Sequence, residues 1–393
     1  MIVLLALLLA GPSLPSASQS EMRGLWVVRT GLLSPESVDQ VVDGAARGGF
    51  NALFVQVRGR GDAFYASRVV ERSELLRGQP ADFDPLGRLL ARARARGLQV
   101  HAWVNVLLTA HFGLPLSSGH VAVRHPDWLM VPREAAREAL GASPTEIIPL
   151  IERYRDPADT EGLYLSPSAP GVAVHLEQVV SELVRRYPVN GLHLDFVRYP
   201  SADFDWSRAA LEGFGATHGG GDLLAGPAVD PEGWGNYRRA VLDDLTVRLS
   251  AIARQTRPGL VVSAAVVPDL PKALYQNYQP WPSWMARGVL DAVCPMTYTP
   301  DTRLFRAQVE QARDKLGAGA SLWAGIGAWR LPVGSVLEKI RAAREAGASG
   351  VVLFSHESFG AADLDRLRAD AFPAAAPAPA APAAGEPGGR AHR

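Results

Sequence analysis

Cysteine and lysine are nearly missing from this 393-residue chain. The single cysteine, Cys294, excludes an internal disulfide. The apolar run around it makes it a buried, inert thiol. Lysine occurs only at Lys272, Lys315 and Lys339, so arginine supplies nearly all the positive charge. The arginines are dispersed and the formal net charge is zero. Nothing here draws the chain electrostatically to nucleic acid or to an anionic membrane. Metal and nucleophile signatures are also lacking: there is no HExxH, no CxxC and no HxH on the first strand. His101, His193, Asp195 and His356 would have to converge from separate segments to hold an ion. No G-x-S-x-G elbow marks a Ser/His/Asp site, and nothing asks for a cofactor.

Apolar runs of transmembrane length are absent too. The apolar stretch 2–10 is too short for a spanning helix of about 20 residues. Small residues, Ser16-Ala17-Ser18, follow it. Residues 1–20 therefore read as a secretory signal peptide, although the basic n-region is lacking. The expected location is periplasmic or extracellular, with no stable membrane insertion. Residues 373–393 are rich in Ala, Pro and Gly and read as a disordered tail. Between them, residues 21–372 have ordinary globular composition and form one large domain.

What is present is a rhythm of β-rich runs and helical patterns. The runs are 22–29 (MRGLWVVR), 52–58 (ALFVQVR), 100–106 (VHAWVNV), 191–198 (GLHLDFVR), 260–267 (LVVSAAVV), 290–298 (LDAVCPMTY), 321–329 (SLWAGIGAW) and 350–356 (GVVLFSH). Helical patterns follow each run, the first opened by the cap pair Ser34-Pro35. Eight strand–helix units predict an α/β fold of the (β/α)8 TIM-barrel type, with long inserts after strands three and four. A doubly wound open sheet is the structural alternative. It would need a glycine-rich phosphate turn, and Gly59-Arg60-Gly61 lacks the third glycine and the helix start.

Chemistry in such a barrel comes from the C-terminal strand ends. Three successive strands carry polar residues of one parity: Gln56 and Arg58, then His101, Trp103 and Asn105, then His193 and Asp195. Their other faces are apolar, as expected where helices cover the sheet. Burying an imidazole and a carboxylate without partners is costly, so this cluster reads as a site. A lone interior histidine is more often a satisfied core group. Asp195 and Arg58 carry the site reading most strongly. For Arg58 a salt bridge closing the barrel top is the competing role and is compatible with function. His193, one pair deeper, fits a role orienting Asp195 rather than touching substrate. Arg198 and Tyr199 follow Asp195 directly. Aromatic residues at the predicted rim, Trp103, Tyr199, Trp281, Trp284, Tyr298 and Trp329, are flat walls of the kind that stack on sugar rings. Core packing is the competing role, assigned to Trp26 and Trp284.

These segments, with GFNALFVQVRGRGDAFY around the second strand, HPDWLM and YLSPSAPGV in the first insert and GLHLDFVRYP on the fourth strand, resemble the glycosyl hydrolase-like 10 family of bacterial exported barrels. The resemblance spans 22–372. It implies hydrolysis of glycosidic bonds, with bacterial cell-wall glycan strands as substrate. It also implies that Asp195 is the strand-four acid and that Gln56, Arg58, Trp103, Asn105 and Tyr298 line its cleft. Two positions depart from the pattern: Phe196 stands where many relatives carry a second acid, and Met296 where a glutamine is frequent.

Glycoside hydrolysis uses two carboxyl groups, about 5–5.5 Å apart for retention and about 6.5–9.5 Å for inversion. Asp195 is expected as one of them, in the nucleophile role, kept ionised by Arg198 or Arg58. Its partner is expected to be Glu357 or, after it, Asp269, although loop carboxylates often only cap helices. The substrate-binding set is Gln56, Arg58, Trp103, Asn105, His193, Arg198, Tyr199, Tyr298 and Trp329, the partner being a polysaccharide or oligosaccharide. Two rival readings stand beside this one. The first is a non-catalytic glycan-binding barrel; the second is a metal-dependent polysaccharide deacetylase centred on His193 and Asp195.

Overall fold

The computed structural model describes residues 20–158, 160–218, 222–317, 319–374, 376, 378 and 379. Apart from Ser20, the expected leader lies outside the described residues, as do 380–393 of the expected tail. Eight parallel strands close into a barrel: β1 (Met22–Val27), β2 (Ala52–Arg58), β3 (Gln99–Asn105), β6 (Gly191–Asp195), β7 (Val261–Val266), β8 (Ala292–Pro295), β9 (Ser321–Gly327) and β10 (Gly350–Phe354). β1 pairs with both β2 and β10, which completes the ring. Two further strands, β4 (Leu108–His111) and β5 (Gly162–Tyr164), form an antiparallel pair in the segment joining β3 to β6.

Strand parity explains the layers. Leu53, Val55, Val57, Val100, Ala102, Val104, Leu192 and Leu194 point outward into the large core shared with the helices. The alternate residues point inward and make a second core of Met22, Trp26, Ala52, Phe54, Trp103, Cys294, Trp323 and Val352, among others. Cys294 is buried there, and burial pushes its thiol well above the ordinary range. Helix starts follow capping chemistry: Ser34 and Asp84 accept from first-turn N–H groups before Pro35 and Pro85.

Gly191 opens β6 for a steric reason. A Cβ there would lie 2.2 Å from His101 Nδ1, whose ring stacks on Phe54 at 4.6 Å. At the other end of β6 the chain turns sharply. Phe196 has φ of 50°, the left-handed region that non-glycine residues avoid. The strand thus ends at Asp195, three residues short of the predicted end at position 198.

Candidate active site

The C-terminal ends of the barrel strands surround a cavity of about 610 Å³. Asp195 closes β6 at its floor, only 7 % exposed. Trp103 on the neighbouring β3 donates its indole N–H to Asp195 Oδ2 at 3.0 Å. The backbone N–H of Phe196 donates to Oδ1 at 2.7 Å. The left-handed turn at Phe196 permits that last contact, so backbone strain and carboxyl orientation are linked here. Burial pushes the Asp195 carboxyl up to about 6, against the opposing pull of Arg198, the Phe196 N–H and Trp103. Arg198 thus favours the ionised form, as the sequence expectation has it, but does not offset burial. Burial outweighs Arg198, and Arg58 faces elsewhere.

His193 lies one layer deeper and does not line the cavity. Its Nε2 accepts from the Trp26 indole N–H at 3.3 Å, which leaves Nδ1–H to donate to Ser263 Oγ at 2.9 Å. Burial, with His101 nearby, takes its imidazole down to about 3, so the ring is neutral. It fixes the floor under Trp26 rather than meeting a ligand.

Around the wall, Gln56 accepts from Arg29 Nη1 at 2.9 Å, and Asn105 donates to the Gly59 carbonyl at 2.9 Å. Tyr298, Trp329 and Phe354 make an edge-to-face aromatic wall, with Tyr298 5.0 Å from Trp329 and Trp329 5.3 Å from Phe354. Trp329 is 45 % exposed, so its ring is available at the rim. Gln56, Trp103, Asn105, Asp195, Arg198, Tyr298 and Trp329 thus share one cavity.

Besides His193, four predicted residues do not join them. Arg58 is fully buried and donates to the carbonyls of Asn105 and Val106. A register shift between Gln56 and Arg58 turns it off the inward parity. Tyr199 is fully buried against Tyr278 at 5.3 Å, because the turn at Phe196 carries it away from the mouth. Asp269 is exposed and caps the helix Leu270–Tyr275 by accepting from Lys272 N at 2.8 Å. Glu357 is exposed on a short turn and accepts from the Thr30 hydroxyl. Of the remaining rim aromatics, Trp281 and Trp284 are buried, with their indole N–H groups on the Val267 carbonyl and on Asp243.

The carboxylate that shares the cavity with Asp195 is Glu161, which the sequence reading missed. It stands just before β5, its side chain 48 % exposed and 3.6 Å from Arg198 Nη2. It also accepts from the Tyr164 hydroxyl. Glu161 and Asp195 lie in each other's field with Arg198 acting on both. The available signal was its position beside the segment YLSPSAPGV. Phe196, Met296 and Phe354 also line the cavity. Among the described residues, no three His, Cys, Asp or Glu side chains are grouped to hold a metal ion. The ligand set imagined for a deacetylase is dispersed: His101 sits below the floor, and His356 packs on Gly31 outside the cavity.

Comparison with known proteins agrees with this architecture. Two curated relatives are similar in sequence. Glycosyl hydrolase DigH of Escherichia coli K12 is 25% identical over 330 residues, covering 74% of this chain and 69% of that protein. Glycosyl hydrolase YngK of Bacillus subtilis 168 is 26% identical over 201 residues, covering 47% and 34%. Among solved structures, the glycoside hydrolase domain of PgaB (BpsB) from Bordetella bronchiseptica superposes with a TM-score of 0.63 at 16% identity, covering 85% of this chain and 94% of that one. The catalytic domain of β-amylase from Paenibacillus polymyxa gives 0.60 at 12% identity, covering 91% and 100%. At such identities the structures share the fold. The model of one family, described as glycosyl hydrolase-like 10, matches residues 21–320, and the chain belongs to that family.

Proposed function

We propose that this protein hydrolyses glycosidic bonds in a polysaccharide, with bacterial cell-wall glycan strands as substrate, and that Asp195 is the general acid. The observation that carries this reading is the buried carboxyl of Asp195 at a barrel mouth, pushed up to about 6 by its surroundings. A carboxylic acid that keeps its proton near neutrality can protonate a leaving glycosidic oxygen. Glu161 takes the second carboxylate role, as base or nucleophile, in the same cavity. Arg198 between the two acids stabilises the negative charge left on Asp195 after proton transfer. Trp103, Tyr298, Trp329 and Phe354 supply ring faces and edges for a pyranose, and Gln56 and Asn105 supply amides for its hydroxyls. The proposal includes export, supported by the apolar 2–10 segment and the small residues after it.

The test is incubation with peptide-free glycan strands, followed by mass analysis of the products. Wild type should release shorter oligosaccharides, and Asp195→Asn should release none above background. Wild-type turnover by Asp195→Asn would overturn the assignment.

A further inference from the structure

A second cavity, of about 740 Å³, lies on the flank of the barrel and shares no lining residue with the cleft. Its walls are the loop after β2, the stretch 119–128, and the first turns of the helix Pro170–Arg186. Trp128 and His125 stack face to face there, 3.9 Å apart and within 9° of parallel. The indole presses against the helix start: a Cβ on Gly171 would come within 2.1 Å of Trp128 Cζ2. The result is a rigid, half-buried pair of stacked rings in the cavity wall.

The charges in this trough are unbalanced. Arg68 and Arg124 are exposed at its rim, and neither guanidinium has a partner among the described residues. One acid, Glu71, stands in the wall against these two arginines and accepts from the Ser117 hydroxyl. Beyond it, Glu182 accepts from Ser67 Oγ and Arg68 N, and Glu177 pairs with Arg248 at 2.7 Å. His120 is also engaged, with Nδ1 accepting from Ala122 N and Nε2–H donating to the Arg60 carbonyl at 2.7 Å. His175 differs: its Nε2 is buried with no partner. Behind it lies Arg58, fully buried, whose Nε and Nη2 also lack partners and whose charge reaches His175. Arg58 pairs with no carboxylate among the described residues, an arrangement that costs free energy until an anion approaches. The helix start adds to the same sign, having neither a side-chain cap nor an acid in its first turn.

We propose that this cavity is a second saccharide site, which takes a carboxylate-bearing sugar unit of an acidic polysaccharide. The pyranose packs against the exposed side of the Trp128–His125 pair and its carboxylate meets Arg124 and Arg68. A charged group beside a flat ring is what such a sugar presents, and planar guanidinium groups match a carboxylate in two-point contact. A neighbouring cavity shares Arg68, Val69, Val174 and Gln178 and continues along the helix past Glu177 and Glu182 to Arg185 and Arg186, which leaves room for the next units of a chain. The proposal rests on the glycan reading of the cleft only for the class of polymer.

The test uses the full chain with Asp195→Asn to stop turnover, and calorimetric titration with two probes. One is a peptide-free murein tetrasaccharide, whose muramic units carry lactyl carboxylates; the other is neutral chitotetraose. The acidic probe should bind about tenfold more tightly. Arg68→Gln with Arg124→Gln should erase that preference, and Trp128→Ala should weaken both probes by about tenfold. Both arginines are exposed, so folding is not at stake in the double variant. A double variant that keeps the preference overturns the proposal, as does Trp128→Ala with both affinities unchanged. Failure of the hydrolase reading looks different: with Asp195 restored, the chain would bind the acidic probe through these residues and release no product from any strand.

Discussion

The two ends of the barrel solve the same problem in opposite ways. At the N-terminal ends of the strands, four polar side chains beside strand starts find backbone partners. Asn51 accepts from Arg23 N at 2.8 Å, Asn190 from Val100 N at 2.9 Å, Asp291 from Val262 N at 2.7 Å and Ser349 from Leu322 N at 3.0 Å. The described part of the C-terminal segment joins the same end. Arg23, Asn51 and Gln99 donate to the carbonyls of Ala374, Ala376 and Pro379, in the stretch read from sequence as disordered tail. At the mouth the polar groups are left in tension instead. Burial holds the Asp195 carboxyl above the usual carboxylate range, and Phe196 beside it sits in a disfavoured conformation. One end spends its polar residues on stability, and the other holds them ready for a ligand.

Substituting a polar side chain at each end separates the two roles. On the proposed mechanism, Asp195→Asn should lower kcat by about a thousandfold, within the range for a general acid. Stability should move the other way. The folded state raises the Asp195 carboxyl from 3.8 to about 6. Its favourable contribution is therefore complete below pH 3.8 and is lost as pH rises through 6. At pH 7.5 the ionised group costs roughly 3 kcal/mol by linkage. Asparagine removes that cost but offers one acceptor oxygen for two N–H donors, a loss of about 1 kcal/mol. A net gain of about 2 kcal/mol in urea unfolding at pH 7.5, absent at pH 3.5, is expected. Destabilisation at pH 7.5 would show that the mouth is not under electrostatic tension.

Glu161→Gln should come next, with kcat down about a hundredfold and unfolding free energy within about 0.5 kcal/mol of wild type, because its carboxylate is half exposed. The pH profile belongs to the same argument: kcat/KM should fall as pH rises through about 6, where Asp195 loses its proton. A profile flat from pH 5 to 8 would remove Asp195 from the acid role. At the other end, Asn51→Ala leaves the Arg23 N–H unpaired in a buried site and should cost about 1–3 kcal/mol in unfolding, with kcat unchanged.

Why the fold was legible and the site only half so follows from the same residues. Leu53, Val55 and Val57 against Gln56, and Leu192 and Leu194 against His193 and Asp195, state the parity of a barrel strand with helices outside. Strand periodicity stops being informative where the backbone leaves it. The register shift before Arg58 and the left-handed turn at Phe196 occur at strand ends, and they turn Arg58 and Tyr199 away from the mouth. Glu161 sits in a segment without periodicity, where only the antiparallel pairing of β4 and β5 brings it over the barrel. Asp269 could have been read as a cap, since Pro271 follows in the first turn of its helix. The repeated Asn, Asp or Ser before a strand start, at positions 51, 190, 291 and 349, was also open to reading as the signature of the closed end.

The smallest expected effect bears most directly on whether mouth strain is functional. Phe196 in the left-handed region costs roughly 1–2 kcal/mol relative to glycine. Its ring offsets part of this by lying under the Arg198 guanidinium at 4.7 Å and beside Tyr164 at 6.1 Å. Phe196→Gly relieves the backbone and loses the ring, so unfolding free energy should change by less than about 1 kcal/mol. The backbone N–H that orients Asp195 Oδ1 survives the change, but the turn no longer has a single preferred conformation. On the proposed reading, KM should hold while kcat falls about tenfold, because the acid is less firmly aimed at the leaving oxygen. If kcat is unchanged, the left-handed turn is only a way of ending β6, and the tension at the mouth resides in the side-chain charges alone.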